Sequence, residues 1–178
     1  MRRQIHIYPF LFLFSFALGC APVISTELKA GVDSSLSFKI VQENPEAYKG
    51  KIVLWGGRII QILPQEDGSA LIEVLEWLLG WSDKPKKTVE FRGKFLFVAK
   101  EPLDTSIYKR GNRITLAGEI QGEIQGSKIK ELTDSTYRYP LLLSKEMHVW
   151  KHHFYPYSSA PDYRTTWEYH HYYGILNY

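Results

Sequence analysis

Apolar and polar positions alternate most regularly over residues 113–124. One face of this segment carries Ile114, Leu116, Ile120 and Ile124, with Gly118 and Gly122 among them. The other face carries Arg113, Thr115, Glu119, Gln121 and Glu123. A period of two is typical of a β-strand with one face in a core and the other in water. The pattern therefore predicts a strand whose isoleucine and leucine side chains share one core.

Five further segments are predicted to be extended. They are residues 52–63, 70–79, 89–99, 137–143 and 146–150. Segment 52–63 is rich in β-branched residues and contains Gly56-Gly57, which we interpret as a bulge. Segment 70–79 has partly helical spacing, but the Asp67-Gly68 turn before it favours a hairpin.

Five or six antiparallel strands with internal glycines predict a mainly β fold, a small closed or nearly closed barrel of the OB type. A β-sandwich is the alternative. Asn44-Pro45 suits a helix start, so residues 37–49 are predicted to form a short N-terminal helical segment.

The N-terminus combines Arg2 and Arg3 with an apolar run over residues 7–18. The end of this run and the two residues after it, Ala17 to Cys20, resemble a bacterial lipobox. This interpretation predicts that residues 1–19 are a signal peptide and that Cys20 carries the lipid. A transmembrane helix is less favoured, because the run is short for a bilayer and contains Pro9. An ordinary secretory signal is the third alternative.

Lipidation would make the mature protein membrane-bound through acyl chains on Cys20, and Ala21 favours sorting to the outer membrane. Losing Arg2 and Arg3 lowers the formal charge by two, from +3 to +1. A nearly neutral chain argues against binding to nucleic acid. Cys20 is the only cysteine, so no internal disulfide is expected.

Four regions are predicted along the chain. They are a signal peptide (residues 1–19), a lipidated tether (20–36), a β-barrel domain (37–150) and an aromatic, histidine-rich C-terminal extension (151–178). The extension contains seven tyrosines. It is expected to contact the barrel, the membrane or a partner, without being needed for the barrel to fold.

No catalytic motif is recognisable in the sequence, so neither enzymatic activity nor a cofactor is expected. Two kinds of binding site are considered. A metal could bind the paired histidines of the extension, His152, His153, His170 and His171. A sugar could stack on Trp55, Trp77 and Trp81, although core packing is the favoured role for these rings, and Trp81 is the one expected to be exposed.

Several short motifs together resemble the Slp family of starvation-inducible outer-membrane lipoproteins of Gram-negative bacteria. They comprise Pro45, Tyr48, Gly50, Val53 to Ile59, Gly93 to Phe95, Pro102 to Asp104, Tyr108, Gly111, Ile114 to Gly118, Gln121-Gly122, Tyr137, Tyr139 to Leu141 and His148 to Trp150. The resemblance covers roughly residues 38–150 together with the lipobox. Residues 70–81 depart from it, being more apolar than expected.

The resemblance implies a lipid-anchored outer-membrane protein linked to starvation or acid stress, with no enzymatic activity and no catalytic residues to carry over. The leading hypothesis is a non-enzymatic protein that supports the cell envelope and contacts an envelope protein or glycan. The alternative is a periplasmic module that binds an oligosaccharide or another envelope polymer on its barrel.

Overall fold

The computed structural model describes residues 22–87, 91–132 and 134–150. It contains two short helices, α1 (Thr26–Ala30) and α2 (Phe38–Glu43), and 3₁₀ turns at Pro45–Tyr48, Trp81–Asp83 and Gly126–Lys128. Its strands are β1 (Ile52–Pro64), β2 (Ala70–Glu76), β3 (Lys94–Ala99), β4 (Arg113–Gln125) and β5 (Arg138–Trp150).

The five strands close into a barrel in the order β1-β2-β3-β5-β4, with β4 paired back to β1. The predicted OB-like barrel is therefore confirmed. Every pair is antiparallel except β3 and β5, which are parallel. The exception follows from the strand number, because strand directions cannot alternate all the way round a ring with an odd number of members.

The barrel interior is an apolar core closed at one mouth by α2. Trp55 of β1 contacts the ring edges of Phe38 and Phe95, with centroids 5.2 and 5.4 Å apart. Ser37 begins α2, and its hydroxyl accepts a hydrogen bond from the Ile40 N–H. The other core residues are Val41, Val53, Ile59, Ala70, Ile72, Val74, Phe97, Ala99, Ile114, Leu116, Ile120 and Leu142.

A second apolar cluster lies on the outer side of the sheet. Its buried members are Leu96, Leu132 and Tyr139, and Ile124 packs against them. Ile124 was predicted to share the interior core, and that prediction is wrong. The pairing of β4 with β5 shifts register between Ile120 and Gly122, where Gly122 has φ 103°. One extra residue reverses the alternation, so Ile124 faces outwards beside Tyr139.

The polar face of β4 is also less exposed than predicted. Gln121 is exposed, and Glu119 and Glu123 are half-buried, but Thr115 is completely buried. Thr115 is covered by the loop after β2, whose Asp83 carbonyl accepts a hydrogen bond from the Thr115 hydroxyl at 2.6 Å. The alternation of apolar and polar residues identified strand β4, but it could not show that the loop after β2 covers Thr115.

The strands differ from the sequence-based prediction in four details. Strand β3 begins at Lys94, because residues 91–93 are not in a strand, whereas an extended segment over 89–99 was predicted. Strand β2 ends at Glu76 instead of residue 79, and the two predicted final segments form the single strand β5. The bulge expected at Gly56-Gly57 lies further along β1, between Ile59 and Gln61. Gly56 instead allows Leu79 to pack closely against β1, because a Cβ at position 56 would lie only 2.6 Å from Leu79 Cδ2.

Residues 22–36, most of the predicted tether, are folded onto the barrel. Ile24 is completely buried, and Val32 forms an isolated bridge with Ile52. The Ser25 N–H donates to a Glu146 carboxylate oxygen of β5 at 3.0 Å. Within the described ranges, none of the helices is long and apolar enough to cross a membrane.

Candidate functional site

The loop between β2 and β3 spans residues 77–93, and its described residues 77–87 cover the outer face of β1 and β4. The Gly80 N–H donates to the Lys84 carbonyl at 2.8 Å, and the Lys86 N–H donates to the Leu78 carbonyl at 2.8 Å. Ser82 and Asp83 have φ of 60° and 58°, a conformation that is uncommon outside glycine. The described part of this loop therefore has a specific, hydrogen-bonded conformation.

Polar contacts fix the loop to three other parts of the chain. The Asp83 carboxylate forms an ion pair with Lys29 of α1. The Thr115 hydroxyl that donates to the Asp83 carbonyl also accepts from the Trp150 indole N–H at 2.9 Å. Lys84 Nζ lies 5.1 Å from the centroid of the Trp150 ring. The N-terminal segment, the loop and the end of β5 thus meet at one place.

Three large apolar side chains of this loop are exposed. Trp81 is 95% exposed, Phe91 57% and Leu78 48%. We call these three residues the apolar rim. Isolated exposed apolar residues are common on proteins, but here the exposed tryptophan lies on a loop held by an ion pair, a hydrogen bond and a cation–π contact.

A groove of about 270 Å³ opens beside the rim. Residues 32–38 line one side and the end of β2 with Leu78 and Leu79 lines the other, while Trp55 lies in its wall. The Trp55 indole N–H is buried and has no hydrogen-bond partner among the described residues. The groove is mostly apolar, and no accessible donor from Trp55 lines it, because this N–H is buried.

Glu76 and Arg92 form an ion pair in the wall of this groove. Arg92 Nε donates to Glu76 Oε2 at 2.7 Å. Burial raises the pKa of the Glu76 carboxyl above its ordinary value, and Arg92 acts in the opposite direction. Both side chains are largely buried, so this ion pair adds little exposed charge to the groove.

The three tryptophans proposed for ligand stacking lie in different environments. Trp55 is 5% exposed and belongs to the interior core. Trp77 is 7% exposed, and the Arg113 guanidinium lies 5.7 Å from its ring centroid. Trp81 is fully accessible and is not part of the groove wall. Trp55 and Trp77 thus line the same groove as largely buried rings, whereas Trp81 lies apart from it.

The second apolar cluster, on the outer side of the sheet, also contains a buried ion pair that the sequence did not predict. Lys94 Nζ is 3.1 Å from Glu73 Oε1, which also accepts from the Tyr139 hydroxyl at 3.0 Å. Burial raises the pKa of Tyr139, and the adjacent Glu73 adds to that effect. In the sequence, both charged residues occupy polar positions on the solvent face of a strand. Their burial follows only from the packing of Ile129, Leu132 and Tyr137 on this side of the sheet.

Cys20 and the four proposed metal ligands, His152, His153, His170 and His171, lie outside the described residues. Within 22–87, 91–132 and 134–150, no group of three or more histidine, cysteine, aspartate or glutamate residues could hold a metal ion. His148 is half-buried, with its ring 4.6 Å from Trp150, and burial lowers its pKa.

Fold and site together describe a small OB-like barrel with a packed interior and a fixed apolar rim beside its N-terminal segment. A family model, described as the outer membrane lipoprotein Slp family, matches residues 18–175. The chain belongs to this family and is a lipid-anchored outer-membrane protein. A search of curated proteins gives no match.

Proposed function

We propose that acyl chains on Cys20 hold this protein at the outer membrane, where it supports the envelope under starvation or acid stress without catalysing a reaction. The main support for this attachment is the family match, which begins two residues before Cys20 and continues beyond the barrel. Ala17 to Cys20 supply the lipobox-like sequence within that match. The mature chain begins at Cys20 in this proposal.

Radiolabelled palmitate and membrane fractionation test the attachment. The Cys20→Ser variant should lose the label and accumulate as uncleaved precursor or soluble protein, because it lacks the acceptor thiol. Ala21→Ser is the matched control, since it changes the neighbouring residue and keeps the thiol. Unchanged labelling of the Cys20→Ser protein would refute lipidation at this residue.

The stress role is tested in a strain that lacks the protein. That strain should survive acid and prolonged starvation less well, and the wild-type gene should restore survival. The Cys20→Ser gene should restore it poorly if the work is done at the membrane. Equal survival with and without the protein under both challenges would contradict a supporting role.

The C-terminal extension, residues 151–178, is proposed to contact the membrane or an envelope partner. The support is that β5 ends at Trp150, beside the covering loop. A chain ending at residue 151 should unfold cooperatively but bind isolated outer membranes more weakly. A rise in melting temperature with Zn²⁺, lost on truncation, would instead favour a metal site at the paired histidines.

Ligand binding in the groove is a second candidate function. The mostly apolar walls favour a small apolar or amphiphilic ligand over a stacked sugar, because the Trp55 and Trp77 rings are buried. Titrating a fatty acid and a peptidoglycan fragment while following backbone amide shifts distinguishes the two ligands. Absence of shifts at residues 32–38 and 76–79 for both would exclude this function.

A further inference from the structure

Trp81, the most exposed residue of the apolar rim, lies in a segment that is bound to distant parts of the chain. Asp83, two residues from Trp81, is bound through its carboxylate to Lys29 and through its carbonyl to Thr115. Leu79 fills the space above Gly56, and Lys86 packs over Gly80. Trp81 therefore cannot turn into the core while these contacts persist. An exposed indole in such a place suits a partner that accepts both its apolar body and its polar N–H.

The charges around the rim match an anionic surface. Residues 77–93 contain four cations, at 84, 86, 87 and 92, and two acids, Asp83 and Glu90. Asp83 is already paired with Lys29, Arg92 is paired with Glu76, and Lys84 and Lys86 are exposed residues. Tryptophan beside lysine is the combination found at the membrane–water interface, where the ring lies at the headgroup level and lysine meets anionic headgroups.

The lipid anchor would enter the membrane close to the rim. Cys20 precedes Ser25 by five residues, a span of about 18 Å at most when extended. Ser25 is fixed to Glu146, and one helical turn later Lys29 is fixed to Asp83 of the loop. Acyl chains on Cys20 would therefore bring the Trp81 side of the barrel towards the bilayer.

We propose that the apolar rim, Leu78, Trp81 and Phe91, docks into the headgroup region of an anionic bilayer beside the acyl chains of Cys20. The proposal rests on the proposed lipid attachment and adds an orientation to it. The barrel is held at two points, so the face formed by the β2–β3 loop lies against the membrane and the β1–β2 turn at Glu66 points away from it.

Site-directed spin labelling of the full lipidated chain tests this orientation. Because Cys20 is acylated, a new cysteine gives a single labelling site. Ser82→Cys places the label beside Trp81, and Glu66→Cys places the matched control at the opposite end of β2. Both proteins are reconstituted in vesicles containing phosphatidylglycerol, and label depth is read from the ratio of oxygen to nickel-chelate accessibility.

The Ser82 label should show a clear rise in this ratio in vesicles, and the Glu66 label should keep its aqueous value. Trp81→Ser in the Ser82→Cys chain should lower the ratio back towards the aqueous value. The shift should weaken in phosphatidylcholine vesicles, because the lysines then lose their anionic partners.

Two outcomes overturn the docking. The first is an aqueous Ser82 label in protein that floats with the vesicles, which would leave the lipid anchor intact and remove only the second contact. The second is a Ser82 label equally shielded in amphipol without a bilayer, which would mean that residues 151–178 or a second copy cover the rim. Lipid attachment itself is read separately, from vesicle flotation of the Glu66-labelled protein.

Discussion

The barrel interior and the β2–β3 loop differ in the direction that their apolar side chains face. Inside the barrel, Trp55 and its apolar neighbours face one another and exclude water. In the loop, the polar groups of Asp83 face Lys29 and Thr115 of the protein, and Trp81 and Leu78 face outwards. The first region is stabilised by burial of apolar surface, whereas the second is held by hydrogen bonds and ion pairs.

This contrast separates stability from attachment. Removing apolar surface from the interior should destabilise the fold, because buried side chains cannot be replaced without leaving a cavity. Removing apolar surface from the rim should leave the free energy of unfolding unchanged, because those side chains are exposed. The second apolar cluster, on the outer side of the sheet, combines both kinds of contact, because the Glu73–Lys94 ion pair is buried within it.

The largest effect is expected at that buried ion pair. Lys94→Met leaves the Glu73 carboxylate buried without its cation and should cost about 3–5 kcal/mol in a denaturant titration. The matched change in the loop, Lys29→Met, breaks a partly exposed pair and should cost about 0–1 kcal/mol. The double variant Glu73→Gln/Lys94→Met should recover most of the loss, since it removes both charges. Similar costs for the two single variants would contradict the contrast.

The second largest effect is expected from a substitution in the barrel interior. Leu116 is completely buried, so Leu116→Ala should lower the free energy of unfolding by about 2–5 kcal/mol through cavity formation. Glu119→Ala, on the other face of the same strand, removes a partly exposed contact with Lys145 and should leave the free energy of unfolding close to that of wild type. Equal losses from both substitutions would refute the assignment of faces along β4.

Thr115→Val tests the polar attachment of the loop. The substitution removes the donor to the Asp83 carbonyl and the acceptor of the Trp150 N–H. Leaving these groups without partners should cost about 1–3 kcal/mol in thermal or denaturant unfolding. Thr115→Ser keeps both hydrogen bonds and should lie close to wild type; a loss as large as that of valine would mean that packing of the methyl group matters instead.

A smaller effect is expected from pH at His148. Burial lowers its pKa in the folded state below the ordinary value of 6.5. The unfolded chain therefore binds more protons as pH falls through 6.5, and stability should decrease towards the folded-state pKa. His148→Gln should flatten this part of the pH–stability curve. An unchanged slope between pH 7 and pH 5 would assign the loss to other groups.

The smallest effect on stability is expected at Trp81. Trp81→Ser should leave the denaturant midpoint within experimental error of wild type, because the side chain is 95% exposed. Its effect should appear only in the depth of the Ser82 label at the membrane. A marked loss of stability would show that the ring packs against residues outside the described part of the chain.

The barrel was predictable because its signals are local. Alternation over residues 113–124, the Asp67-Gly68 turn and the apolar runs identified the strands and the mainly β class. The candidate site was much less predictable. Trp81 was expected to be exposed from its loop context, but the contacts of Asp83 with Lys29 and Thr115 join residues 54 and 32 positions apart.

The sequence by itself determined the strands, the exposure of Trp81 and the family resemblance, since these depend on residue type and short-range spacing. Only the tertiary structure decided which face Ile124 occupies, where Glu73 and Lys94 meet and what covers Thr115. Each of these depends on register between distant strands or on packing of a loop. A shift of one residue in β4 reverses a whole face, and no local pattern records it.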